Sequence, residues 1–191
     1  MSAIDLAGFS AKFAGDDDPW RTFTNRDEGV KRAAILHALG AGPHGRIWEL
    51  ASGNGSNSAA IAPRALRLDA TEGTAEGTVL TARALADRPR ARATRLPLPA
   101  RPPRSTYDAI VVAELLYYLT PRDMALVARD AARAARPGTV LVLAHHHIDF
   151  YDFAQHAAGI HDRFLRDARR FARLRTIRRT SDWIVQAAVA R

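Results

Sequence analysis

Glu49-Leu-Ala-Ser-Gly-Asn-Gly55 is the stretch of this sequence best suited to cradle a ligand. Its small residues let the backbone turn tightly and approach a bound molecule. A helix starting at Ser56 would turn free N–H groups toward a polar or anionic group. Glu72 follows about twenty residues on, where a nucleotide-binding half places a carboxylate to accept both hydroxyls of a ribose. Asp69 competes for that role but falls inside the second strand, whereas Glu72 ends it. The pattern E-x-A-x-G-x-G differs from the dinucleotide fingerprint, and a tight turn beside a solvated acid is the plainer alternative.

A second group of reactive residues lies further along. Glu114 ends the apolar run Tyr107-Asp-Ala-Ile-Val-Val-Ala113, where an ionised carboxylate is costly without a cationic partner. Without such a partner it is a bystander acid at a strand end. His145-His146-His147 closes a later apolar run, with His156 and His161 beyond it. Neighbours in a strand point to opposite faces, so at most two of three consecutive histidines could share one metal ion. Asp149 is the nearest acid, the spacing matches no established ligand pattern, and no metal site is expected. A histidine near neutral pKa suits removal of a proton from a nucleophile, with a hydrogen-bonded structural role as the alternative.

Strand-like and helix-like segments alternate to position these residues. After a polar, irregular stretch over 1–19, Asn25 caps a helix that Gly40 ends. Strands are expected at 46–50 and 66–72, near Ala93, and at 107–113 and 139–144. Helices are expected at 56–62, 75–86, 120–135 and 153–171. Four prolines make 97–104 a loop. Pro121 suits the first helical turn after Thr120, and Pro137-Gly138 stops that helix. Two last strands, 173–179 and 183–189, are joined by Thr180-Ser181-Asp182. So short a turn makes them antiparallel, whereas the repeated strand–helix units imply a parallel sheet covered on both faces. The expected class is α/β: a Rossmann-like, doubly wound sheet, mostly parallel, with a reversed strand at the C-terminal end.

The 191 residues suit one domain, with 1–25 as an N-terminal cap or lid. The chain has no cysteine, which excludes disulfides and thiol nucleophiles. No apolar run is long enough for a membrane span, and the N-terminus lacks a signal pattern, so a cytoplasmic protein is expected. The formal charge of +8 is carried almost wholly by arginine. Six arginines fall between Arg88 and Arg104 and eight between Arg163 and Arg179. Neither cluster interleaves aromatics as a stacking surface for single strands would. A solvated face is the plain reading, with an acidic substrate or nucleic acid as the alternative.

Asp18-Pro19-Trp20-Arg21, the E-x-A-x-G-x-G loop and Tyr107 to Leu119, ending Ala-Glu-Leu-Leu-Tyr-Tyr-Leu, together resemble the class I S-adenosylmethionine (SAM)-dependent methyltransferases. Within that class they are most similar to the NodS group of nodulation N-methyltransferases. The resemblance covers about residues 16–165. It implies a seven-stranded sheet with a reversed last strand and SAM at the carboxyl ends of the first four strands. It places Ala51, Ser52, Gly53 and Gly55 beside the methionine part, Glu72 and Gly73 at the ribose, and Ala113 and Glu114 below the sulfonium. Trp20 and Arg21 would close over the cofactor, Arg21 pairing with its carboxylate, although Trp20 serves equally as a core anchor. His145 and His161 loosely match histidines of the group, and with Glu114 they become the candidates to orient or deprotonate the acceptor.

Two departures stand out. Ala51 replaces a usual glycine, and no acid lies between Ala91 and Thr106 to take the adenine amino group. Adenine would then fall to backbone groups near Arg95 and Leu96. The resemblance implies methyl transfer to a small nucleophile, an amine such as an amino sugar. The alternatives are a nucleic-acid methyltransferase and a SAM-binding protein without catalysis.

Overall fold

The structure is a computed structural model and describes residues 3–191. Seven strands form one sheet: β1 (Ile47–Leu50), β2 (Leu68–Glu72), β3 (Ala91–Arg95), β4 (Tyr107–Ala113), β5 (Ala135–His146), β6 (Arg175–Arg179) and β7 (Trp183–Val189). Their order is β3-β2-β1-β4-β5-β7-β6. The strands from β3 to β5 run parallel, and β7 runs antiparallel to both its neighbours, β5 and β6. The order reverses between β1 and β4, which leaves a crevice at their carboxyl ends where open α/β sheets bind ligands.

Alternation along β4 explains why the sheet is covered twice. Ile110 and Val112 join Trp48, Leu50 and Leu143 under α5 (Pro121–Ala134) and α6 (Ile160–Asp167). Ala109, Val111 and Ala113 join Ile47, Ala70 and Val142 under α2 (Arg26–Leu39) and α3 (Ser56–Ile61). A strand apolar on both faces has nowhere to lie except between two helical layers. Caps fix where the helices start. The Asn25 side chain accepts from the Asp27 N–H and the Thr120 side chain from the Asp123 N–H, with Pro121 in the first turn. Thr74 caps α4 (Ala75–Ala84) through the Gly77 N–H.

Three segments differ from expectation, the first being β5, which starts at Ala135 and runs through Pro137-Gly138 to His146 rather than spanning 139–144. Residues 1–19 are not irregular throughout, because α1 (Leu6–Gly15) forms there, with Asp5 accepting from the Gly8 N–H as its cap. Its glycines mask the pattern in the sequence, and tertiary contacts supply what propensity lacks. Phe13 is buried, Phe9 packs edge-on against Tyr118, and Leu6 lies against Gly73. The helix expected over 153–171 shrinks to the eight residues of α6. Asp149 accepts from the Ala157 N–H and from His156, and Phe153 stacks on Tyr117 with ring centroids 3.7 Å apart. These contacts hold 147–159 as a loop, and Gly159, at φ 69°, starts the helix only after it.

Candidate active site at the carboxyl edge of the sheet

Three non-glycine residues adopt left-handed backbone conformations among the described residues: Ala51 (φ 50°), Glu114 (φ 50°) and Arg21 (φ 53°). Ala51 follows β1, Glu114 follows β4, and Arg21 belongs to the segment leading into α2. Such conformations cost about 1–3 kcal/mol each and gather where function over-determines the backbone.

Gly53 and Gly55 do different work. A Cβ on Gly53 would meet only Phe13 of α1, at 3.8 Å, so this residue faces open space beneath the N-terminal helix. A Cβ on Gly55 would come within 2.9 Å of Thr81 Cα and 2.8 Å of Ala84 Cβ. Gly55 is therefore a packing residue against α4. Ser52, which with Gly55 was expected at the ligand, is buried, with its hydroxyl on Thr81. Neither residue faces the open space before Gly53.

Glu72 is buried at the end of β2. Its Oε2 accepts from the Gly53 N–H at 3.0 Å, and its Oε1 accepts from the backbone and hydroxyl of Thr74 at 2.9 and 3.0 Å. A carboxylate has about four lone-pair sites, so one remains on Oε2. As arranged, Glu72 can accept one further hydroxyl, and a second would have to displace a present donor. Asp69 is engaged elsewhere, by Arg46 and Tyr107 at 3.0 Å each. The Leu96 N–H donates to the Glu72 carbonyl at 2.7 Å, so it is not free for adenine as expected. Leu96 and Leu98 are partly buried and pack against the core on the α5 face of the sheet.

The N-terminal segment covers this edge. Asn54, beside Gly53, donates to the Asp18 carboxylate at 2.8 Å, and Ser10 of α1 donates to Glu76. The Ile4 N–H reaches across to the Asp152 carbonyl. Trp20 is exposed and packs edge-on against the buried Phe13, with centroids 5.5 Å apart. Arg21 is exposed, and among the described residues no ion pair joins its guanidinium to the loop.

Glu114 sits in a dense polar cluster. Its Oε1 meets Lys31 Nζ at 2.6 Å, and its Oε2 meets His146 Nδ1 at 2.9 Å and the Tyr117 hydroxyl. Lys31, only 2% exposed, also holds Glu28 at 2.7 Å. Burial opposes ionisation of Glu114, but Lys31 and His146 outweigh it and bring the carboxyl down to about 2. Burial likewise opposes the Lys31 charge, and Glu114 and Glu28 raise its pKa regardless. A second carboxyl, Glu49, has no such cation. Buried with a hydrogen bond from Ser58 Oγ, it is pushed up to about 8 by burial, with Glu72 adding repulsion.

The structure brings His145 and His161 together but turns both inward. His145 Nε2 accepts from the Leu115 and Leu116 N–H groups at 3.1 Å, so its Nδ1 carries the proton. That Nδ1–H donates to His161 Nε2 at 2.9 Å, and His161 Nδ1–H donates to Gln186 Oε1 at 2.7 Å. Burial holds His145 well below its ordinary pKa, and it brings His161 down to about 4. All four ring nitrogens are engaged, so in this arrangement neither histidine offers a lone pair to an acceptor. Their expected role as bases gives way to positioning of the Glu114–Tyr118 loop.

Sequence reasoning passed over His146, Lys31 and Tyr117. Alternation in β5 carried the missing signal: His145 shares a face with Leu141 and Leu143 toward α6, and His146 shares one with Val142 and Ala144 toward α2. His147 turns to the Thr180 carbonyl, so the three histidines part.

No known family profile and no curated protein matches this sequence. Solved structures do. The N-methyltransferase NodS from Bradyrhizobium japonicum WM9, in complex with S-adenosylhomocysteine (SAH), superposes with a TM-score of 0.80 at 18% identity, covering 97% of each chain. A candidate methyltransferase from Pseudomonas syringae superposes at 0.73 with 28% identity, over 87% of this chain and 100% of that one. DhpI, in complex with SAH, superposes at 0.75 with 17% identity, over 97% and 94%. With the strand order β3-β2-β1-β4-β5-β7-β6, these matches identify the fold as that of the class I SAM-dependent methyltransferases, similar within it to NodS.

Proposed function

We propose that this chain is a SAM-dependent methyltransferase acting on a small nucleophile, an amine. One observation carries the reading: a glycine loop over a buried carboxylate, Gly53 and Glu72, shares the carboxyl edge of the sheet with the ionised Glu114 cluster. The residues present fit SAM. Open space lies before Gly53, and Glu72 keeps a lone pair for a ribose hydroxyl. When bound, SAM supplies a methyl group on an electrophilic sulfonium.

The chain's own contribution is alignment and exclusion of water. The α1 cap closes over Gly53 and Gly73, and the aromatic rings of Phe9, Phe13, Trp20 and Tyr118 pack against one another beside it. Glu114 and Glu28 share the one cation of Lys31, which leaves a net negative cluster that suits an amine arriving protonated. Arg101 and Arg104 precede β4, at the amino edge and thus the opposite end of the sheet from Glu114, and β6 lies at the sheet's lateral border.

Calorimetry with SAH tests the cofactor, and transfer of radiolabelled methyl to a panel of primary amines tests the acceptor class. Binding of SAH together with N-methylated product is expected. Absence of SAH binding would remove the reading at its root.

A further inference from the structure

Glu114 carries a histidine that the expected site did not include. We infer that His146, held by Glu114 and indirectly by Lys31, is the group that takes the proton from the acceptor, and that the acceptor is a protonated primary or secondary amine. This rests on the proposed methyltransferase activity.

The geometry separates His146 from the other histidines of β5 and α6. Its Nδ1 lies 2.9 Å from an ionised carboxylate, which keeps a proton on Nδ1 and leaves Nε2 as the ring nitrogen available to an acceptor. No described residue hydrogen-bonds that Nε2, and the side chain is 24% exposed. His145 and His161 are buried, with every nitrogen engaged. A carboxylate behind an imidazole orients the ring and stabilises the imidazolium once it forms. Here that carboxylate is itself fixed, by Lys31 on one oxygen and by Tyr117 and His146 on the other.

Charge assigns the substrate class. The groups facing His146 are Glu114, the Lys31–Glu28 pair of α2, Tyr117, the neutral His145 behind it, and the Phe150 ring edge-on at 5.5 Å. One lysine serves two carboxylates, so the cluster carries a net charge of about −1 with His146 neutral. An ammonium group balances it. The ammonium gives a proton to Nε2, and the freed nitrogen lone pair forms the new N–C bond as the S–C bond breaks, its electron pair staying on sulfur. The proton ends on His146, where Glu114 holds it.

Two measurements on the full chain test this. In protein with 15N-labelled histidines, saturated with SAH, two-bond 1H–15N spectra report each ring's tautomer; the His146 signals are those missing from His146→Ala. The Nδ1–H form is expected, and the Nε2–H form would overturn the proposal. Single-turnover methylation of ethanolamine, glucosamine and benzylamine is then compared in the parent and in His146→Ala. For an amine that is turned over, the variant should lose about 10²-fold in rate, the low end for general-base catalysis. SAH affinity should be unchanged, and added imidazole should restore part of the rate, which a structural role would not allow. An unchanged rate, or a loss that imidazole leaves untouched, refutes the assignment. SAH binding with none of the amines methylated refutes it too, while failure of the parent to bind SAH defeats the methyltransferase reading itself.

Discussion

His145 donates from Nδ1 to Nε2 of His161 at 2.9 Å, and this one hydrogen bond sets the protonation state of both rings. A second proton on either ring would aim two N–H groups at each other, or aim one at the Leu115 and Leu116 amides. The pair is therefore neutral at ordinary pH, and it ties the loop after β4 to Gln186 of β7.

Acid should release this tie. The unfolded chain protonates its histidines near 6.5, whereas in the folded chain burial brings His161 down to about 4 and also holds His145 well below its ordinary value. Between those values the unfolded state binds more protons, so stability is full above pH 6.5 and lost as pH falls through 4. For His161 the range spans about 2.5 units, on the order of 3 kcal/mol. Glu49, pushed up to about 8, gives the opposite slope between 4.5 and 8, so the effect is read as a difference between proteins. Urea unfolding from pH 7 to 4 should show a shallower acid loss in His161→Gln than in the parent. Parallel curves would mean the rings titrate as they do in the unfolded chain.

Glu72 and Asp69 separate cofactor from scaffold. Glu72→Ala should weaken SAH binding by about 1.5–3 kcal/mol, the scale of a charge-assisted hydrogen bond. Asp69→Asn should spare affinity but lower the melting temperature, since Arg46 and Tyr107 lose a charged partner. Calorimetry and thermal melts of both variants decide this; equal affinity of Glu72→Ala and the parent would remove the ribose assignment.

The two glycines of the loop should fail in opposite ways. Gly55→Ala drives a Cβ into Thr81 and Ala84 and should destabilise the fold by about 1–3 kcal/mol. Gly53→Val meets little protein, and its left-handed backbone (φ 60°) costs about 1–2 kcal/mol, but it fills the space before Phe13. Loss of SAH binding with a fold still intact is expected for Gly53→Val. Tight binding there would mean the loop does not face the cofactor.

These contrasts also mark what was legible in the sequence. The strands were, because β4 and β5 are apolar on both faces and only a doubly covered sheet accepts them. The α1 helix was not, because its order depends on Phe9 and Phe13 meeting residues far along the chain. Glu114 stood out from its place after a buried strand, but its cation did not. Lys31 lies 83 positions earlier on α2, and only the packing of α2 beside β5 brings the two together. His146 was hidden in the same way, since a run of three histidines does not reveal which face of β5 meets α2.

The Lys31–Glu114 pair yields the last prediction. Removing one member of a buried pair leaves the other uncompensated, at about 3–5 kcal/mol. Lys31→Met should fall at the lower end of that range, because Tyr117 and His146 still hold Glu114, while Glu28 also loses its cation. Glu114→Gln should cost less, since Lys31 keeps Glu28. If the two charges chiefly compensate each other, the double variant Lys31→Met/Glu114→Gln should lose about 1–3 kcal/mol less than the sum of the single losses. A double-mutant cycle from urea unfolding at pH 7 measures this coupling. Additive losses would show that each charge is stabilised separately, Lys31 by Glu28 and Glu114 by Tyr117 and His146. The lysine would then serve the packing of α2 rather than the orientation of the carboxylate.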